Sequence, residues 1–189
     1  AAAASSGEVG LVHVVGSTPE APTLAEALQH GQPLEVVAVT PAMVRAARDQ
    51  LTSAGAPDAR LVGVNVGTPH FSVAEFGRLV ALLAGRPVHP EVEFYASTGR
   101  HILTRIEALG WLASLEAAGV RLVVDTCTYV TSILEDTGGV VMTSSAKWAW
   151  YAPSNLGFDV VFGSMDECVR SASLGRVWRD PGLWDASDA

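Results

Sequence analysis

Six short polar segments, each following an apolar run, hold the residues of this chain best suited to chemistry. They are Gly16-Ser17-Thr18-Pro19-Glu20, Gly67-Thr68-Pro69-His70, Ser97-Thr98-Gly99-Arg100, Thr126-Cys127-Thr128-Tyr129, Thr143-Ser144-Ser145-Ala146-Lys147 and Gly163-Ser164. Lys147, the only lysine, follows three hydroxyl residues where free N–H groups and a cation could bind a carboxylate or phosphate. The glycines of a P-loop are missing there, and the alternative is a solvated surface lysine. Cys127 reads as an iron ligand or a nucleophile if its thiolate is accessible, and as a small buried hydrophobe if it is not. His70 suits proton transfer or polarisation of a substrate group, against a structural role in its turn. Arg100 suits a substrate carboxylate, with an ordinary surface charge equally open.

Positioning such groups takes a layered scaffold, and the rest of the chain predicts one. Seven runs read as strands: Leu11–Val15, Leu34–Val39, Leu61–Val66, Val92–Ala96, Arg121–Asp125, Val140–Met142 and Asp159–Phe162. Most are nearly continuous Val, Leu and Phe, the look of parallel strands covered on both faces. Helix starts lie between them. Thr23-Leu24-Ala25-Glu26, Ser72-Val73-Ala74-Glu75 and Ser164-Met165-Asp166-Glu167 fit the capping box, and Thr40-Pro41 pairs an N-cap with proline at the first helical position. Val73, Phe76, Val80 and Leu83 form one apolar stripe; Ile102, Ile106 and Leu109 form another, with Gly110 dividing that helix from the next. The expected fold is α/β: a doubly wound, mostly parallel sheet with helices on both faces. In such sheets ligands bind outside the carboxyl ends of the strands, where the six polar segments fall.

Within that scaffold Cys168, His13, Trp148 and Trp150 read as packing or interface residues, and His30, His89 and His101 as surface. Residues 1–58 read as part of a neighbouring α/β layer, with Gly55-Ala56-Pro57-Asp58 as the connection. Residues 59–175 read as the main domain, and 176–189 as a tail that docks loosely or on a partner.

Composition bounds the function classes. Of 189 residues, 49% are apolar and 17% charged, enough to bury a core. A net charge of −8 argues against general nucleic-acid binding or a membrane-surface role. Two cysteines, without C-x-x-C or clustered histidines, argue against a disulfide framework and a self-contained zinc site. The start has no basic segment followed by a long apolar stretch, so a signal peptide is not expected and the expected location is the cytoplasm.

Taken together, five blocks carry a resemblance: Val14 to Thr23, Gly67 to Ser72, Val124 to Val130, Met142 to Ala149, and Tyr151-Ala152-Pro153 running to Val161–Ser164. In this order, over roughly residues 11 to 172, they resemble the catalytic large subunit of the aconitase X family of iron-dependent dehydratases. The resemblance implies aconitase-like α/β/α layers and one of two activities, dehydration of cis-3-hydroxy-L-proline or of phosphomevalonate. Thr126-Cys127-Thr128-Tyr129-Val130 and Ala146-Lys147-Trp148-Ala149 look more like the hydroxyproline branch, and Thr68 stands where the other branch tends to show a cysteine. Ser144 stands where an asparagine is more usual.

By the family's measure the large subunit extends upstream, and a small swivelling subunit or domain completes the site with its catalytic serine. An iron or iron–sulfur cluster is implied, with Cys127 as one ligand. Lys147, Thr143 and Ser145 then fall to the substrate carboxylate or nearby acid–base work. Ser144, Thr68, Arg100 and His70 become further polar contacts. The base for the α-proton is expected on the partner. The implied partners are that small subunit and a small-molecule hydroxy acid, with no nucleic acid or membrane. The rival from another class is a non-catalytic α/β module that binds an anion or a partner without turnover.

Overall fold

A computed structural model describes residues 2–54, 59–135 and 138–184. In chain order the elements are α1 (Ala2–Gly7), α2 (Leu24–Ala27), α3 (Pro41–Gln50), β1 (Leu61–Val66), α4 (Val73–Leu83), β2 (Glu93–Thr98), α5 (Arg100–Ala108), α6 (Trp111–Ala117), β3 (Val120–Val124), β4 (Val140–Thr143), α7 (Ala146–Leu156), β5 (Asp159–Phe162), α8 (Met165–Leu174) and α9 (Pro181–Trp184). The strands form one parallel sheet in the order β3-β2-β1-β4-β5. No helix among the described residues is long and apolar enough to cross a membrane.

The strand order follows from two windings that start at the centre. From β1 the chain passes through α4 to β2 and through α5 and α6 to β3; from β4 it passes through α7 to β5. Crossovers of one hand that run in opposite directions put their helices on opposite faces. Phe76 and Leu79 of α4, Ile106 of α5, Leu115 of α6 and Val169 of α8 accordingly pack with Val64, Val66 and Phe94 on one face. Trp148 and Ala152 of α7 pack with Val62, Val141 and Val160 on the other. Each such fully buried Val, Leu or Phe contributes roughly 1.5–3 kcal/mol. On α7's face the β3–β4 connection replaces a helix. Leu134 lies so close over Gly63 that any side chain at 63 would collide with it.

Helix starts match the residues that predict them. Ser72 and Ser164 form complete capping boxes with Glu75 and Glu167, and Thr40 caps α3 ahead of Pro41. Thr23 caps α2 by accepting from the Glu26 N–H, while its hydroxyl donates to the Glu26 carboxylate at 2.7 Å. Gly110 adopts φ +73° between α5 and α6, a left-handed turn that glycine takes without strain.

Four expectations are corrected. Leu11–Val15 and Leu34–Val39 are not strands, and His13 is therefore not a strand residue. These runs have β-branched composition but no neighbouring strand to satisfy their backbone, and Leu11, Val14, Leu34, Val36 and Val39 are exposed. Leu109 lies at the end of its helix, half exposed rather than in the apolar stripe. Residues 176–184 do not dock loosely. The buried Glu167 carboxylate accepts from the Asp180 N–H and the Trp184 Nε1, each at 3.0 Å, and the Trp178 N–H donates to Ser171 Oγ at 2.8 Å. The expected connection at Gly55–Asp58 lies outside the described residues, as do positions 185–189 of the expected tail.

Candidate functional site

β1 and β4 are neighbours, yet the chain leaves β1 toward one face and β4 toward the other. That divergence opens a crevice at their carboxyl ends, the topological switch point where open α/β sheets bind ligands. Gly67-Thr68-Pro69-His70 leaves β1 and Ser144-Ser145 leaves β4. Gly67 has φ +83°, and a side chain there would strike the carbonyl of Ser97 on β2. Thr68-Pro69 is a cis peptide. Ser145 joins the two loops: its hydroxyl donates to the Thr68 carbonyl at 2.6 Å and accepts the Trp148 N–H as the cap of α7.

Two cavities border this junction. A cavity of about 290 Å³ is lined by Thr68, His70, Asp125, Cys127, Tyr129 and Lys147, among others. A second, of about 390 Å³, is lined by Thr68, His70, Arg78, Ser144, Ser145 and Trp184, among others. Cys127 is exposed, not the buried hydrophobe that a free cysteine commonly is, whereas Cys168 is fully buried and its thiol is pushed far up by desolvation. Lys147 is half-buried, with Nζ 5.1 Å from the centre of the Tyr129 ring. Tyr129 in turn stacks on Tyr151 at 5.0 Å, so both rings fix the direction of the lysine.

The structure separates the expected residues. Lys147, His70, Thr68 and Cys127 meet at the smaller cavity; Ser144 and Ser145 border the larger one. Thr143 is fully buried, its hydroxyl accepting the Ser145 N–H at 3.0 Å, so it supports the loop from beneath and has no open face for a ligand. Arg100 points elsewhere than expected. Its Nε donates to Asp125 Oδ2 at 2.5 Å and its backbone N–H to Oδ1 at 3.2 Å.

Three further residues take part in the site. Asp125 adopts φ +53°, a conformation Asp tolerates better than most residues, and this turns the chain at the end of β3. The hydrogen bond from Arg100 holds its carboxyl below the usual carboxylate range. Asn65 is fully buried, and its Oδ1 accepts the hydroxyls of Thr68 at 3.3 Å and Thr128 at 3.4 Å, a polar floor beneath the smaller cavity. Asn65 interrupts the apolar run Leu61–Val66, which is the one sequence signal that singles it out. Tyr129, against the Lys147 ammonium, is the third.

Metal binding can be tested on the same residues. Among the described residues no group of three or more His, Cys, Asp or Glu comes together as a metal site. Cys127 supplies a single thiol, so these residues do not hold an iron centre by themselves.

Comparisons with known proteins bear on this geometry. Residues 62–173 match the sequence profile of the aconitase X third domain, and residues 1–49 that of the aconitase X second domain. The chain is 41% identical to a cis-3-hydroxy-L-proline dehydratase of Pseudomonas aeruginosa over its whole length, spanning 32% of that protein. It is 32% identical to a cis-3-hydroxy-L-proline dehydratase of Hypocrea jecorina, over 93% of this chain and 30% of the relative. It is 31% identical to a phosphomevalonate dehydratase large subunit of Methanosarcina mazei, over 93% of this chain and 40% of the relative. Among solved structures, holo-form aconitase X of Thermococcus kodakaraensis superposes with a TM-score of 0.61 at 22% identity, over 75% of this chain and 35% of that one. The chain thus spans 30–40% of the length of these curated relatives.

Proposed function

The chain belongs to the aconitase X family, and on that footing we propose that it is part of the catalytic subunit of a hydro-lyase that removes water from cis-3-hydroxy-L-proline. The observation that carries this reading is the convergence of Lys147, Cys127, His70 and Thr68 on one small cavity at the switch point. Three strand ends far apart in sequence supply those groups.

Dehydration of a β-hydroxy imino acid loses a proton from the α-carbon and hydroxide from the β-carbon. As the proton leaves, negative charge builds toward the carboxylate. A fixed cation stabilises that charge more in the transition state than in the ground state. Lys147 is our assignment for this role, oriented by the Tyr129 face. His70 and Thr68 are assigned to hydrogen-bonding the substrate. Ser145 acts through position, tying the two loops together, and Thr143 acts through Ser145. Ser144 borders the second cavity, where an incoming segment of a partner subunit would find it.

We assign Cys127 to iron as the one thiol at the cavity. The remaining ligands, the small swivelling subunit and the base for the α-proton then belong to the rest of the whole protein. Residues 1–58 are assigned to a neighbouring unit and residues 59–175 to the domain that carries the site, a division supported by the two separate profile matches.

The phosphomevalonate reading is less well supported by the cavity. A phosphorylated acid calls for concentrated positive charge, whereas Lys147 shares the cavity with the Asp125 carboxylate. The test is to assay the full-length enzyme, assembled with its small subunit and iron, on both substrates. Turnover of cis-3-hydroxy-L-proline alone supports the proposal. Turnover of phosphomevalonate alone moves the chain to the other branch, and turnover of neither leaves a binding module.

A further inference from the structure

The smaller cavity holds two opposite charges. Lys147 and Asp125 both line it, one at the start of α7 and one at the end of β3. At about 290 Å³ it lies near the lower limit of roughly 300 Å³ for ligand pockets, a size for a compact metabolite. Resting on the reading above, we infer that Asp125 is the specificity-determining residue for a zwitterionic imino acid. Its carboxylate accepts the ring ammonium while Lys147 takes the substrate carboxylate.

Three observations support this. First, a carboxylate offers about four lone-pair positions. Arg100 occupies two of Asp125's, one from its backbone N–H and one from Nε. The Asp125 side chain keeps about a third of its surface exposed, and the residue lines the cavity. Second, Arg100 is bonded to the carboxylate whose position it fixes, and it is not among the groups lining the cavity. It positions Asp125 and does not compete for the substrate carboxylate. Third, Asp125 takes a left-handed backbone conformation at φ +53°. Such a conformation, held in the lining of a cavity, is the kind of local cost that persists where a side chain must point in one direction.

A charged pair of this kind discriminates by chemistry. An imino acid satisfies both ends of it. A hydroxy acid without nitrogen brings no ammonium to the open lone pairs of Asp125, and a phosphorylated acid brings further negative charge toward it.

The test uses the full-length holoenzyme with its partner subunit and two ligands of the same shape that cannot be dehydrated. L-proline carries the ring ammonium, and cyclopentanecarboxylate lacks it. Titration calorimetry should show L-proline bound about tenfold or more tightly than the carbocycle, the range of a charge-assisted hydrogen bond. Asp125→Asn should weaken L-proline by about that factor and leave cyclopentanecarboxylate unchanged within about twofold, collapsing the preference. Asn tolerates the left-handed backbone and keeps an oxygen for Arg100, and carbocycle binding reports an intact pocket. Arg100→Ala, which keeps the carboxylate, should retain a preference for L-proline.

Equal loss of both ligands in Asp125→Asn, an unchanged ratio, or no preference in the parent enzyme overturns the inference. Turnover separates it from the reading beneath it. Asp125-dependent binding of L-proline without dehydration of cis-3-hydroxy-L-proline removes the dehydratase and keeps the recognition. Dehydration with an Asp125-independent ratio does the reverse.

Discussion

The Ser145 hydroxyl donates to the Thr68 carbonyl at 2.6 Å, a bond between loops that leave adjacent strands for opposite faces of the sheet. Through it, the two segments richest in functional side chains share one framework. The same oxygen caps α7, so one hydroxyl sets both the helix start and the floor of the crevice.

Ser145→Ala should therefore cost more than a surface substitution. Losing the cap and the cross-loop bond together should destabilise the protein by about 1–3 kcal/mol. Denaturant unfolding of the full-length protein measures this. A change below about 0.5 kcal/mol, the level of an ordinary surface substitution, would show that the bond carries no weight.

Glu167→Ala should release the segment at 176–184. The buried carboxylate satisfies the N–H groups of Ser164 and Asp180 and the Trp184 indole, and alanine leaves all three donors without it. A loss of about 2–4 kcal/mol is expected, together with faster proteolysis after Arg176 or Arg179 and a changed tryptophan emission. Unchanged cleavage kinetics would mean that the segment is held by other contacts.

The two thiols should part sharply in reactivity. In iron-free protein Cys127 should alkylate readily, while Cys168, sealed in the core with its thiol pushed up by burial, should react only on unfolding. Iron loading of the assembled enzyme should protect Cys127, and Cys127→Ala should lower bound iron. Full protection without iron, or unchanged iron in the variant, would remove Cys127 from the ligand set.

How much of this was legible depended on whether neighbours were local. Leu61–Val66 and Asp159–Phe162 read correctly because a strand covered on both faces leaves a nearly continuous apolar stretch in sequence. Leu11–Val15 and Leu34–Val39 have a similar composition, but strand formation needs a partner edge, and composition does not reveal one. The rim itself was legible as a set of strand ends, since small and hydroxyl residues collect where helices must be capped.

Its internal wiring was not. That Arg100 serves Asp125, that Thr143 hides beneath Ser145, and that Tyr129 aims Lys147 are facts of sheet order and side-chain direction. The end of the chain read as loose or partner-bound because the anchors of Trp178 and Trp184, Arg170 and Glu167, lie on the far side of a turn.

The central claim is that the cavity beside Lys147 is where the reaction takes place, and kcat/KM of Lys147→Ala tests it most directly. Measured on cis-3-hydroxy-L-proline with the complete iron-loaded enzyme, it should fall by about 100-fold or more with the melting temperature held, the loss expected when a charge stabilising the transition state is removed. A value within about twofold of the parent would return Lys147 to the surface and contradict the account.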